Sequence, residues 1–438
     1  MYLHNDNIIY RYRKYEKIVI ILYKLTIHNQ SDNMIIHLDF ELVGREGSKL
    51  KIKNLNSRNL IIVGGNGCGK TRFIEQLHDR LTRELIDLVS RDLEEVNYEL
   101  FQYHEFKDHD SVYEDDHIDH KELELQKEIR ELKREEVIYS DRISVMSKFE
   151  NSTAILRYYD AYRRANIAFE GSATSVKDLR ESGKSDGANN DSSSKFEQFL
   201  ISYYNYGSHV KARENDPNQV KKIDSWFDKI TVDLQFLFED PYLEFKYSSE
   251  AMYFYMIQKG KDPFRFRDLS SGYESILSIY ADLIMKVELN EVHADNLSGI
   301  VIIDEIDAHL HVSLQKKILS FLTRAFPKIQ FIVTTHSPFV VSSVDNAVIY
   351  DLSKLQQVEN LSMYSYEAVL EGLFGVLPIS SLLQKNIETL AKLLKEQPID
   401  VEEVHSLLEK LPEDEDLLDP ESLYFVNSAK LAINKAKR

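Results

Sequence analysis

At 438 residues the chain exceeds one average domain, and its 43% hydrophobic and 11% aromatic content suffices for buried cores. The formal net charge of −18 excludes a general DNA coat, because phosphate backbones repel it, although a local basic patch stays compatible. A single cysteine, Cys68, excludes an internal disulfide and a cysteine-based zinc site and fits a reducing compartment.

Residues 1–15 are polar and read as a tail. Strand patterns follow over Ile18–Leu25, Met34–Leu42 and Leu50–Lys53. Asn59–Val63 is a short apolar run ending on two glycines, which predicts a buried strand entering a tight turn. After Thr71 the period becomes helical: Leu77, Leu81, Leu85, Leu88, Val96 and Leu100 recur among charges, and Leu125, Ile129 and Leu132 do the same. The two stretches predict an antiparallel helical hairpin. Its link, His104–His120, is rich in Asp, Glu and His and reads as a solvated loop rather than a metal site. Residues 171–195 are Ser, Gly, Asn, Asp and Lys and predict a flexible surface loop. Phe196–Phe266 reads as α+β. Asp268–Leu352 reads as a compact α/β half with strands at Ile300–Ile303 and Ile329–Val333, and Glu359–Arg438 as helices with acidic turns. No apolar run approaches the roughly 18 residues that span a bilayer, and the N-terminus lacks a signal-peptide layout. A soluble cytoplasmic protein without a membrane partner is expected.

Gly64-Gly65-Asn66-Gly67-Cys68-Gly69-Lys70-Thr71 matches the phosphate-loop pattern Gly-x4-Gly-Lys-Ser/Thr. Glycines let the backbone wind so that successive N–H groups point at phosphate oxygens. The helix that starts near Lys70 adds its positive end. In such a loop Gly64, Asn66, Gly67, Cys68 and Gly69 cradle ATP, Lys70 reaches the β and γ phosphates, and Thr71 ligates Mg2+. Cys68 is either a thiol activated by the helix N-terminus or a small side chain that fits the loop; the second is favoured.

Ile300–Ile303 runs into Asp304-Glu305, and fully apolar strands belong inside a parallel sheet, whose ligands gather at the strands' carboxyl ends. Asp304 therefore sits where Mg2+ belongs, and Glu305 where a water-polarising base belongs. The next strand ends in Thr334-Thr335-His336-Ser337-Pro338, which brings His336 to the same edge as a γ-phosphate sensor.

Leu269-Ser270-Ser271-Gly272-Tyr273-Glu274 precedes a helix, and a serine there offers a hydroxyl to an anion. In this order (phosphate loop, long insertion, Ser-Gly helix start, acidic strand, histidine strand) the chain resembles the ABC ATPase superfamily, on the SMC and RecF side. The resemblance implies an α/β ABC-type ATPase head with an inserted helical hairpin arm and a helical C-terminal region. The divisions are residues 16–75, 76–195 (the arm), 196–267, 268–355 and 356–438. It implies that Ser270 and Gly272 clamp ATP bound to a second copy. Ser271 and Tyr273 depart from the usual signature. Gln76 lies too close to Lys70 for a Q-loop, and the D-loop falls near Asp307.

Asp304–His311 with Thr334–Pro338 also resembles the ATPases related to OLD nucleases, but the remaining residues show no Asp-x-Asp pair after a strand and read as helical, so no fused nuclease is expected. With Tyr364–Gly375, the chain is similar to the AriA-type ATPases of PARIS anti-phage defence systems. That similarity implies a homo-oligomer of head-to-head dimers, a separate Toprim-like nuclease effector and a phage-encoded trigger protein. A Septu-type defence ATPase and a RecF-like DNA-repair ATPase are the alternatives. The latter wants a basic surface, for which Arg157, Arg163 and Arg164 are the candidate segment; a salt-bridged helix face is its plainer reading.

Overall fold

The computed structural model describes residues 34–436 apart from 46, 57, 88–92, 110–114, 164–166, 168–173, 186–190, 215, 290–295, 359–365, 375–379, 397–398 and 413–417. The expected tail and the strand at Ile18–Leu25 lie outside the described residues. The chain divides into two compact units, Met1–Met363 and Tyr364–Arg438.

The first unit opens with β1 (Ile35–Glu41), β2 (Lys49–Ile52) and β3 (Asn59–Val63), close to the expected strands. Then come α1 (Lys70–Leu85), α2 (Leu93–His109) and α3 (Asp115–Arg134). Helices α2 and α3 form a hairpin with Val96, Leu125 and Ile129 buried between them, but Leu77, Leu81 and Leu85, expected in its first arm, lie on α1 in the sheet core. Residues 104–109 and 115–120 are helical, so the hairpin link is shorter than the loop expected over 104–120. His104 Nε2 lies 3.0 Å from Glu122 Oε1, which pairs the two helices.

β4 (Glu135–Tyr139), α4 (Arg142–Glu150) and β5 (Ala154–Tyr159) follow, two strands inside the stretch read as a helical arm. The stretch read as a flexible loop holds α5 (Val176–Ser185), whose Leu179 is buried, and the buried pair Ser192–Ser193. Next are α6 (Phe196–His209), α7 (Pro217–Leu237), β6 (Glu244–Ser248), β7 (Tyr253–Ile257) and α8 (Ser271–Leu289). The unit closes with β8 (Ser298–Ile303), α9 (Ile318–Ala325), β9 (Ile329–Thr334), β10 (Ala347–Asp351) and β11 (Gln356–Val358).

The six-stranded sheet has the order β11-β10-β3-β9-β8-β5, parallel except for β11. Burial of every residue of β8 and β9 is what an interior parallel strand requires. Leu60, Ile62, Leu156, Ile300, Ile302 and Ile332 face one side, packed with Phe73, Ile74, Leu77 and Leu81 of α1. Those α1 residues recur at helical spacing, which is why one face of the helix is dry. β1, β2 and β4 form a separate antiparallel sheet in the order β2-β1-β4 that joins the same core. The Gln330 side chain sews it on, accepting from Ile35 N at 3.0 Å and donating to Ile35 O at 3.2 Å.

Alternation along β5 sends Arg157 and Tyr159 to the face opposite Leu156, where they meet Asp282 of α8. Arg157 Nη2 sits 2.8 Å from Asp282 Oδ2, with side chains 5% and 0% exposed. Tyr159 Oη donates to the same oxygen at 2.6 Å, and Ser192 N donates to Asp282 Oδ1 at 2.7 Å. Arg157 is thus a strand residue in a buried pair, neither a helix-face cation nor part of a basic surface. Ser192 is drawn inward because it completes this carboxylate.

In the second unit, α10 (Ser381–Leu393), α11 (Val401–Leu408) and α12 (Pro420–Ala436) share a core of Leu390, Val404, Ala429 and their neighbours, the helical C-terminal region expected. No described helix is long and apolar enough to cross a membrane.

Asp282→Ala leaves the buried Arg157 guanidinium without its carboxylate. The expected cost is about 3–5 kcal/mol of stability, read by urea denaturation of the full chain.

Candidate active site

β3, β8 and β9 lie side by side and parallel, so their carboxyl ends open on one edge of the sheet. The glycine-rich loop leaves β3 there. Gly64 has φ 148°, and a Cβ on it would stand 2.7 Å from Cys68 Sγ and 2.9 Å from Ser353 Oγ. Glycine is therefore demanded sterically as well as conformationally. Cys68 is buried against that turn, a packing role. Gly67 and Gly69 also have positive φ, at 73° and 95°. Gly65, Asn66 and Gly67 are exposed, and Gly69 caps α1 without a side-chain hydrogen bond, which leaves the helix's first N–H groups without a side-chain cap.

Lys70 is 6% exposed and donates to Gly64 O at 3.0 Å and Gly65 O at 3.4 Å. Burial holds its ammonium below the usual lysine range, opposed by Cys68, Glu305, Asp304 and Asp307. Thr71 Oγ1 donates to Asp304 Oδ2 at 2.7 Å, across 233 residues of sequence. Asp304 is 2% exposed; its Oδ1 accepts from Thr334 Oγ1 at 2.5 Å and from Glu305 N at 3.1 Å. Thr334 Oγ1 also accepts from Glu305 N at 2.7 Å. Glu305 has φ 42°, in the left-handed region. Thr335 Oγ1 donates to Asp307 Oδ1 at 2.5 Å, and His336 N reaches the same oxygen at 3.4 Å. Asp307 thus ties the acidic loop to the β9 end. Burial first, then Lys70, keeps the His336 imidazole below its ordinary value of 6.5.

The structure brings Lys70, Thr71, Asp304, Glu305 and His336 into one group. Among the described residues no hydrogen bond joins Ser270 or Gly272 to this group: Ser270 is exposed, and Gly272 backs onto Leu314 and His309. Gln76 donates to Glu41 O at 3.0 Å and to Glu135 Oε1 at 2.8 Å, so it braces β1 and β4. Thr71 and Asp304 form a hard-oxygen pair that fits Mg2+, which takes one or two protein oxygens and fills its shell with water and phosphate. Among the described residues no trio of His, Cys, Asp or Glu converges as a metal site.

Sequence reasoning missed Arg163. It lies just beyond β5, and its Nη1 and Nη2 donate to Asp304 O at 2.7 Å and Glu305 O at 3.0 Å. The aromatic and aliphatic run Ala154–Tyr159 was the available signal, since a strand there delivers the following residues to the same sheet edge. Arg164 lies outside the described residues.

A family model described as an AAA domain, putative AbiEii toxin, type IV TA system, matches residues 60–342. The chain belongs to that family. It therefore carries an ATPase domain, and the matched span contains every residue of the site above. The chain is 38% identical over 131 residues to a Septu protein PtuA of Bacillus mycoides, covering 30% of this chain and 16% of that protein. It is 41% identical over 114 residues to the Retron Ec83 probable ATPase of Escherichia coli, covering 25% and 21%. The matches thus span about a fifth of the length of these curated relatives. Among solved structures, the SMC head domain from Thermotoga maritima aligns with 72% of this chain and 94% of that chain at 13% identity and a TM-score of 0.32.

Thr334→Val removes the hydroxyl that serves both Asp304 and Glu305 N. With buried polar atoms left unpaired, the expected loss is about 1–3 kcal/mol, measured by denaturant unfolding. His336 predicts a pH effect. Its folded value lies below its unfolded one, so the unfolded state binds the extra proton first as pH falls. Stability is expected to drop from pH 6.5 downward until the folded imidazole itself titrates. His336→Gln should lose less melting temperature than the wild type between about pH 7.5 and pH 5.5, the interval around the ordinary histidine value.

Proposed function

We propose that the chain is an ATP-binding and ATP-hydrolysing subunit of a bacterial anti-phage defence complex, in which the nucleotide controls a separate nuclease effector. The hydrogen bond from Thr71 to Asp304 carries the nucleotide part of this reading, because it unites a loop–helix junction with a strand-end carboxylate as a Mg2+-nucleotide site requires. The similarity to a Septu PtuA and to a retron ATPase supports the defence part.

The backbone N–H groups of Gly65–Gly69 and the start of α1 bind the phosphate chain. Lys70 turns from the loop carbonyls to the β and γ phosphates. Thr71 and Asp304 would hold Mg2+, which would supply positive charge to the phosphate oxygens. Glu305 accepts a proton from water as its oxygen bonds the γ-phosphorus; the bond to the β,γ-bridging oxygen breaks, releasing ADP and phosphate. Neutral His336 contacts the γ-phosphate. Ser270 and Gly272 complete the site of a second copy in an ABC-type head-to-head dimer. Regulation rather than flux is the task, so turnover is slow.

The finer assignment is to an AriA-type ATPase of a PARIS system, with a Toprim-like nuclease as partner and a phage protein as trigger. It rests on the Tyr364–Gly375 resemblance; residues 364–365 and 375 of that stretch lie outside the described residues. A Septu-type ATPase is the second reading, favoured by the 38% identity over 131 residues. Arg157, buried against Asp282, and Arg163, bonded to the Asp304 and Glu305 carbonyls, give the RecF-like reading no support, while Arg164 lies outside the described residues.

Lys70→Ala is expected to abolish binding of a fluorescent ATP analogue. Glu305→Gln should keep that binding and lower hydrolysis about 100-fold or more; normal hydrolysis by this variant would exclude Glu305 as the base. Expressing the whole locus and weighing the complex with and without ATP tests the partner. A complex lacking the neighbouring gene's product, with tight DNA binding at physiological salt, favours DNA repair.

A further inference from the structure

Glu305 presents a physical problem. A glutamate at φ 42° sits in backbone space that non-glycine residues occupy rarely, so outside contacts must hold it there. Its N–H is held by Thr334 Oγ1 and Asp304 Oδ1. Its carbonyl is held from the other side by Arg163 Nη2 at 3.0 Å, while Arg163 Nη1 takes the preceding carbonyl, Asp304 O, at 2.7 Å. One planar guanidinium therefore grips two successive peptide units, the geometry for which its rigid fork of donors is suited.

Arg163 Nη1 also donates to Asp160 O at 3.0 Å, which anchors the side chain to its own loop beyond β5. Its Nε donates to Ser275 Oγ at 3.3 Å, in the first turns of α8. No carboxylate lies within ion-pair distance of this guanidinium among the described residues. Its hydrogen bonds go to carbonyls and a serine, with the carboxylates of Asp160, Asp304, Asp307 and Glu305 acting on its charge from farther off, whereas Arg157, six positions earlier, bonds directly to Asp282 in a buried pair.

We propose that Arg163 is a positioning residue for Glu305 and couples it to α8, the helix whose start carries Ser270 and Gly272. It rests on the proposed roles of Glu305 and of Ser270–Gly272. The guanidinium holds the Glu305 peptide in its left-handed conformation and so sets where the carboxylate points. Its Nε bond to Ser275 makes that setting depend on the position of α8. A shift of α8 when Ser270 meets a second copy therefore reaches Glu305 through one side chain.

The full chain is assayed for binding of a fluorescent ATP analogue with Mg2+, for kcat and KM of ATP hydrolysis, and for melting temperature. Arg163→Ala is expected to bind nucleotide within about 3-fold of wild type, with KM little changed and kcat down about 100-fold, the loss typical of a misplaced catalytic group. Arg163→Lys, which lacks the planar fork and the separate Nε donor to Ser275, should recover only part of that loss, and it carries the test if Arg163→Ala does not fold. Ser275→Ala should lower kcat by a few-fold, with binding intact. Combined with Glu305→Gln, Arg163→Ala should add little further loss, because both act through one group. A normal kcat in both Arg163 variants, a fall in binding that matches the fall in kcat, or an additive double variant overturns the proposal. Hydrolysis that Glu305→Gln leaves untouched, or none in the wild type, overturns the reading of the site instead, and the role of Arg163 with it. Hydrolysis abolished by Glu305→Gln but untouched by the Arg163 variants defeats the positioning role alone.

Discussion

The Asp304 carboxylate is the point on which the first unit's carboxyl edge is built. It is almost fully buried, yet it ends a strand of six buried residues, where an ionised group would be costly without partners. Three donors meet that cost, each from a different place: Thr71 at the start of α1, Thr334 at the end of β9, and the N–H of Glu305. Each donor fixes the element that carries it. The parallel registry of β3, β9 and β8 brings the three within reach, and the shared carboxylate then holds the loop ends to one another. The Thr71 bond is the exchangeable one, since Thr71 is exposed while Thr334 is fully buried.

On the opposite face of the sheet a second buried carboxylate, Asp282, does similar work. It collects Arg157 and Tyr159 from β5 and Ser192 from the segment before α6, and so fixes α8 to the edge strand. A buried pair of this kind contributes little net stability over an apolar packing, but leaving it half-made is expensive, so it specifies position. The two carboxylates stand at the two ends of a short path. Asp282 sets α8 against β5, the loop beyond β5 carries Arg163, and Arg163 holds the backbone of Asp304 and Glu305.

Local pattern made much of the head legible. β3, β8 and β9 are largely apolar runs, and Gly64–Thr71 and Asp304–Glu305 carry their chemistry in adjacent letters. What escaped was set by distant partners. β5 contains Arg157, and a charged residue among aromatics next to a helical arm does not read as an interior position. Asp282, 125 residues away, makes it one. Ser192 looked like flexible loop for the same reason: its burial follows from a carboxylate 90 residues further on. Arg163 looked like surface charge because its acceptors are backbone carbonyls, which have no signature in a sequence. The ends of the hairpin link were misjudged because charged residues continue a solvated helix as readily as they form a loop.

The placement of Ser270 bears on how many chains the proposed site needs. Ser270 and Ser271 are exposed, while Gly272 is buried with space on its Cβ side closed by Leu314 at 3.1 Å and His309 O at 3.4 Å. The start of α8 is thus pressed onto the loop that follows Glu305, and Arg163 ties the next turn of α8 to Glu305 itself. Two routes hold the start of α8 against the acidic loop of its own chain, yet among the described residues no hydrogen bond joins Ser270 to Lys70 or Asp304. An exposed serine on a helix start held in this way can offer its hydroxyl to something outside the chain. In a symmetric pair, the phosphate chain on Lys70 of one copy would meet Ser270 of the other, and each contact would load the Arg163 link of the copy that supplied the serine. The same contact that closes one site would then adjust the glutamate of the other, and would give the proposed slow hydrolysis a physical route.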